Sequence, residues 1–226
     1  MATFRSRLRL AGLLFVAGLA LTGCNPFLLP YLLHGEAKEP ATFKQLTCKD
    51  KPVKVVVISY APGTEGTPDG VGADRDLCRK LTKELFQMTK DSKEKIDLVA
   101  PRSVDKFKDE HTDWYKMDLK VVGQYFKADY VILLEMEAFD LYESGGLMYR
   151  GRTQINVLVQ DMSDTIGGEP ERKIYKTEYP KERPIPSDDG NVVAFREKFL
   201  DHVAAELSWM FMPHNSCSGI ASDELR

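Results

Sequence analysis

Two apolar stretches on either side of a glycine pair, Tyr130 to Tyr142 and Leu147 to Asp161, constrain the fold more than any other feature of the chain. Between them Glu143-Ser144-Gly145-Gly146 reads as a four-residue hairpin loop. A loop of that length sets Tyr142 opposite Leu147, and hence Met136 opposite Thr153, Leu134 opposite Ile155, Ile132 opposite Val157 and Tyr130 opposite Val159. One face of the ribbon is then almost wholly apolar. The other face pairs Glu137 with Arg152, Glu135 with Gln154 and Phe139 with Arg150, contacts worth roughly a few tenths of a kcal/mol each. A slip of one residue would turn Glu135 and Glu137 into the core, so the pattern specifies the buried face.

The remaining elements are arranged around this ribbon. Val55-Val56-Val57-Ile58-Ser59-Tyr60 is a continuous β-branched run of the kind covered on both faces. The loop from Ala61 to Ala73 is rich in Gly and Pro, but Arg75 stands where a dinucleotide fingerprint has its third glycine after Gly70-Val71-Gly72, so it reads as a surface loop. Leu77, Leu81, Leu85 and Met88 recur at helical spacing over Asp74 to Lys90, with Cys78 and Phe86 beside them. A short strand at Ile96 to Val99 precedes a helical turn capped by Ser103, with Val104 and Phe107 inward. A helix follows from Asp118 to Lys127 with Leu119, Val122 and Phe126 on its core face. Trp114, in the loop between those two, reads as a packing anchor. Lys173 to Tyr179 is a further strand, the proline-rich stretch through Pro180, Pro184 and Pro186 is loop, and Asn191 to Phe211 is a final amphipathic helix ending before Pro213. The expected fold is a single α+β (mixed α/β) domain over residues 51–212. It has a mixed sheet of about five strands in the order β-α-β-α-β-β-β-α, a central hairpin, and helices packed on the sheet.

The amino terminus sets where such a domain works. Arg5, Arg7 and Arg9 precede an apolar run from Leu10 to Leu21, long enough for a signal h-region and too short to span a bilayer. The tetrad Leu21-Thr22-Gly23-Cys24 that follows resembles the lipobox of bacterial lipoproteins, in which the leader is cut before the cysteine and the new terminus is acylated. That resemblance implies a signal peptide over 1–23, lipidation at Cys24 and a tether over 24–50. Within the tether, Asn25 to Pro40 reads either as a greasy segment near the membrane surface or as a first piece packed onto the domain. Asn25 is not the Asp that marks inner-membrane retention in lipoproteins, so the outer membrane, facing the periplasm, is the expected location. Residues 213–226 have little apolar content and read as a loose tail.

Cleavage changes the charge. Three of the 31 basic residues lie in the leader with none of the 34 acidic ones, leaving 28 against 34 and a net charge of −6. An acidic domain lacks the basic surface a nucleic-acid binder needs. Arg75, Arg79, Lys80 and Lys83 cluster at helical spacing and read as a solvated helix face. With Cys24 committed to lipid, Cys48, Cys78 and Cys217 remain, which allows one disulfide; Cys48 and Cys217 flank the domain and are the candidate pair.

Chemistry is sparse. Glu135 and Glu137 point the same way on one strand, a geometry that a glycosidase could use, but Arg152 and Gln154 opposite them satisfy the same carboxylates as a sheet face. His34, His111, His202 and His214 are scattered, without metal-ligand spacing or a neighbouring nucleophile, and His202 reads as a packed residue on the flank of the last helix. No catalytic residue, metal or cofactor is expected.

Gly123-Gln124-Tyr125-Phe126-Lys127-Ala128-Asp129-Tyr130-Val131, a helix end followed by Ala-Asp and an apolar strand, resembles a signature of three related groups. These are the curli-secretion component, the penicillin-binding-protein activator lipoproteins, and the amino-terminal domain of the TolB translocation protein. The resemblance implies a mixed sheet with packed helices, and work by binding or assembling other envelope proteins without catalysis. The short hairpin tip at Glu143 to Gly146 lacks the long alternating strands that a pore requires. The expected function is a lipid-anchored, non-catalytic envelope protein whose partners are the membrane and another envelope protein, with an oligomer possible. The alternatives are a lipid-anchored hydrolase or a subunit of a secretion assembly.

Overall fold

Val53 to Tyr60 folds as strand β1, and its β-branched run is buried from Val55 to Ser59 because helices cover both of its faces. The computed structural model describes residues 38–43, 46, 51–62, 68–143, 145–163, 168–188 and 191–215. After β1 come α1 (Ala73–Ser92), β2 (Ile96–Leu98), α2 (Pro101–Glu110), α3 (Leu119–Phe126), β3 (Tyr130–Tyr142), β4 (Met148–Asp161), β5 (Glu171–Tyr179), β6 (Ile185–Pro186) and α4 (Val192–Trp209). The sheet runs β2-β1-β3-β4-β5, with β6 beside β4. Neighbours in the β2-β1-β3 part are parallel and those in the β3-β4-β5 part antiparallel, so the fold is α+β with a mixed sheet, as expected.

Two apolar layers flank this sheet. On one side Val55, Val57, Ile132, Leu134, Ile155 and Val157 meet α1 and α4 through Leu77, Leu81, Phe199, Val203 and Leu207. On the other, Val56, Ile58, Val131, Leu133 and Leu158 meet α2 and α3 through Val104, Phe107, Val122 and Phe126, with Trp114 buried among them. At Gly123 an added Cβ would lie 2.4 Å from Met162 Sδ, so the glycine of the Gly-to-Asp stretch lets α3 press onto the end of β4. Asp129 then joins three chain segments. It exchanges backbone bonds with Lys54 and Met162, and its carboxylate accepts from the Lys54 N–H at 2.7 Å.

The hairpin register differs from expectation by two residues. Met136 pairs with Ile155, Leu134 with Val157 and Ile132 with Val159. Gly145 and Gly146 adopt φ of +101° and +73°, which L side chains rarely take, and the Gly146 N–H closes onto the Glu143 carbonyl. The turn therefore centres on the glycines, the last paired residues being Glu143 and Met148. A displacement of two preserves parity, so the expected inward face is the observed one. A bulge at Glu137 then leaves that residue unpaired between Met136 and Ala138 and rotates the strand. Phe139, expected on the outer face opposite Arg150, instead packs against Phe199 in the helix-covered core.

Other boundaries also shift. Helix α2 starts at Pro101 with Ala100 as its N-cap, because proline is preorganised for the first helical position, so Ser103 caps nothing. The proline-rich connection is not all loop, since Ile185 and Pro186 pair with Tyr149 and Met148. Within the segment read as tether, Phe43 and Leu46 are buried, and Phe43 stacks on Phe211 while its N–H bonds to the Met210 carbonyl. Asn191 caps α4 through its side chain, which accepts from the Val193 N–H at 2.8 Å.

Candidate interaction surface

Helices α2 and α3 cover only part of their side of the sheet. Along β3 the outward residues run from buried Val131 and Leu133 to half-buried Glu135 and exposed Glu137, and β4 and β5 continue with Arg152, Gln154, Asn156, Arg172, Ile174 and Lys176. A polar, open sheet face results, cross-linked from strand to strand. The Glu137 carboxylate accepts from Gln154 Nε2 and Asn156 Nδ2. Glu135 accepts from Asn156 at 3.4 Å and lies 3.7 Å from Arg172. Arg152 does not face Glu137 as expected, because the register places it between Glu143 at 3.3 Å and Glu178 at 3.6 Å.

A groove of about 840 Å³ borders this region, lined by Arg152, Gln154 and Lys176 of the open face and also by Thr177, Lys181 and Glu206, the last on α4. A smaller recess of about 220 Å³ is bounded by Trp114, Tyr115, Asp118, Glu135, Gln160 and Pro170, where α3 stops covering the sheet. The two glutamates expected as a pair thus do lie near one another. Each is engaged by amide or guanidinium donors, an arrangement suited to a recognition surface of alternating donors and acceptors.

Two polar clusters escaped the sequence reading. At the carboxyl end of β1, Lys108 Nζ lies 2.9 Å from Asp74 and donates to the Ser59 carbonyl at 2.8 Å, while Ser59 Oγ donates to Asp74 at 3.3 Å. The pair is well shielded, with side chains 8% and 15% exposed, and it ties α1 to α2 around the strand end. Between α4 and β5, Glu206 accepts from Tyr175 Oη at 2.6 Å and lies 3.2 Å from Lys181 and 3.4 Å from His202. Burial alone would raise the Glu206 carboxyl. The Tyr175 hydrogen bond, the His202 charge and the Lys181 charge outweigh it and hold the group below its ordinary value. Burial, followed by the Glu206 charge, pushes the Tyr175 phenol up. The signal for this second cluster was present, since His202 and Glu206 are four apart on one helix face.

The other expected residues are dispersed. His202 is buried against Tyr179, His111 packs at a tilt on Phe107, and His214 stacks on Trp209 and lies 3.5 Å from Glu39. Cys78 is a buried free thiol that donates to the Val57 carbonyl, and burial pushes it up to about 12. Arg75, Arg79 and Lys80 form ion pairs with Asp109, with Asp76 and Asp105, and with Glu197 and Asp201, joining α1 to α2 and α4 rather than presenting a free solvated face. Cys24, Cys48, Cys217 and His34 lie outside the described residues.

No family model and no curated protein matches the chain. Among solved structures it is similar to lipoprotein GNA1162 from Neisseria meningitidis at 11% identity, covering 70% of this chain and 99% of that one with a TM-score of 0.43. It is also similar to the PelC dodecamer from Paraburkholderia phytofirmans at 10% identity, covering 77% of this chain and 96% of that one with a TM-score of 0.40.

Proposed function

We propose that this chain is a lipid-anchored, non-catalytic protein of the bacterial cell envelope that docks another envelope protein on the open face of β3, β4 and β5. The observation that carries the reading is the unequal covering of one sheet: the same outward row of β3 passes from apolar and buried to charged and open within four residues. Charged and amide side chains held in place by their neighbours favour a polar, specific contact over an apolar one. The leader and Cys24 supply the anchor, and Asn25 favours the outer membrane facing the periplasm. A Cys24→Ala variant is expected to leave the membrane fraction; retention there would remove the anchor from the account.

A photo-crosslinking side chain placed at Lys176 in the native host tests the docking face against the same group at Lys83, which is exposed on α1. The expected result is a discrete adduct with an envelope protein other than a second copy of this chain from position 176 and none from position 83. Adducts from 83 alone, or equal adducts from both, would overturn the assignment of the face.

A further inference from the structure

Strand β5 ends the sheet. It bonds to β4 from Glu171 to Tyr179, and among the described residues no backbone hydrogen bond reaches its outer side. A nine-residue edge of this kind presents a row of donors and acceptors that a further strand can complete. Its residues on the open face are Arg172, Ile174, Lys176 and Glu178, and Ile174 is 61% exposed.

We propose that this edge pairs antiparallel with β5 of a second copy of the chain, about a two-fold axis centred on Tyr175. Among registers that pair at least seven of its nine residues, the strand is self-complementary in that one alone. Arg172 falls opposite Glu178 of the second copy, and the symmetry repeats the contact, giving two opposite-charge pairs on one face. Ile174 falls opposite Lys176 of the second copy and diagonal to its Ile174, so lysine stems and the neighbouring isoleucine cover the exposed apolar group. Faces are kept only when the register moves by whole residue pairs. Centring the axis on Ile174 sets Arg172 against Lys176, and centring it on Lys176 sets two Lys176 residues against each other. Like charges directly opposite are destabilising, so both are disfavoured. The side chains needed are accessible: Arg172 is 57% and Glu178 45% exposed, and their contacts within the chain are at 3.5 Å or more.

The test uses the full-length protein in detergent, with mass followed by analytical ultracentrifugation over a dilution series. Wild type is expected to populate a dimer. Arg172→Glu and Glu178→Arg each create two like-charge contacts and should each raise the dimer Kd by about tenfold or more. An equimolar mixture of the two variants restores both opposite-charge pairs in a heterodimer, and its mass should return to that of the wild-type dimer. Unfolding of a variant would not be repaired by mixing. A wild type that stays monomeric, single variants that associate as tightly as wild type, or a mixture that stays dissociated would each overturn the pairing.

Discussion

The two halves of the sheet are made from the same strands but different surroundings. Around β1 and the first half of β3 both faces are apolar, and every side chain from Val131 to Leu134 is buried between α1 and α4 on one side and α2 and α3 on the other. In β5, the first part of β4 and the second half of β3 helices cover only the inner face, and the outer residues are carboxylates, amides, lysine and arginines, with Ile174 the exposed apolar exception. The comparison separates the part of the sheet that stabilises the fold from the part proposed for docking. Burying apolar area stabilises the fold on the helix-covered side throughout, while the outer polar row contributes small exposed contacts. The bulge at Glu137 marks the change, turning Phe139 and Leu141 inward and leaving the outer row of β3 free of bulky apolar groups beyond Leu133.

Substitutions can break this contrast in graded steps. Phe199→Ala removes a fully buried ring packed on Phe139 and Gly151, and should cost about 3–5 kcal/mol in urea unfolding. Leu133→Ala, on the covered part of the outer face, should cost about 2–3 kcal/mol. A loss near zero there would mean that α2 and α3 do not hold the covered half. Asp74→Asn strips the shielded Lys108 of its counter-charge and should cost about 1–3 kcal/mol by the same assay.

Acid should act on the other helix layer. The Glu206 carboxyl is held below its ordinary 4.5, so its stabilising contribution is complete above that pH and is lost as pH falls through the lower folded value. Glu206→Gln should therefore be less stable than wild type near pH 7, with the gap closing below pH 4.5 in urea titrations at each pH. A gap independent of pH would mean that the carboxylate charge is not what joins α4 to β5. Smallest of all, Glu135→Gln combined with Glu137→Gln should cost no more than about 1 kcal/mol, since the amide oxygens can still accept from Asn156 and Gln154.

Much of the covered half could be read from the sequence because its signals are local. The run Val55 to Ile58 and the four-four-three spacing of Leu77, Leu81, Leu85 and Met88 each name a buried surface without reference to the rest of the chain. The inward face of the hairpin was legible for a similar reason, since an error of two residues leaves parity intact. The bulge also left a trace: inward apolar residues fall at 132, 134 and 136 and then at 139 and 141, and the step of three is where the strand rotates. The Asp74–Lys108 pair and the covering of Phe43 by Phe211 leave no such trace, because 34 and 168 residues separate the partners and only the tertiary fold brings them together.

Recognition by the open face is the central claim, and Glu137→Lys tests it most directly when stability and crosslinking from position 176 are measured on the same variant. Glu137 is exposed but accepts from Gln154 and the buried Asn156, so the variant should lose no more than about 1–3 kcal/mol and stay folded, while reversal of its charge lowers the adduct yield by about tenfold or more. An adduct yield equal to that of wild type in a variant that stays folded would contradict it.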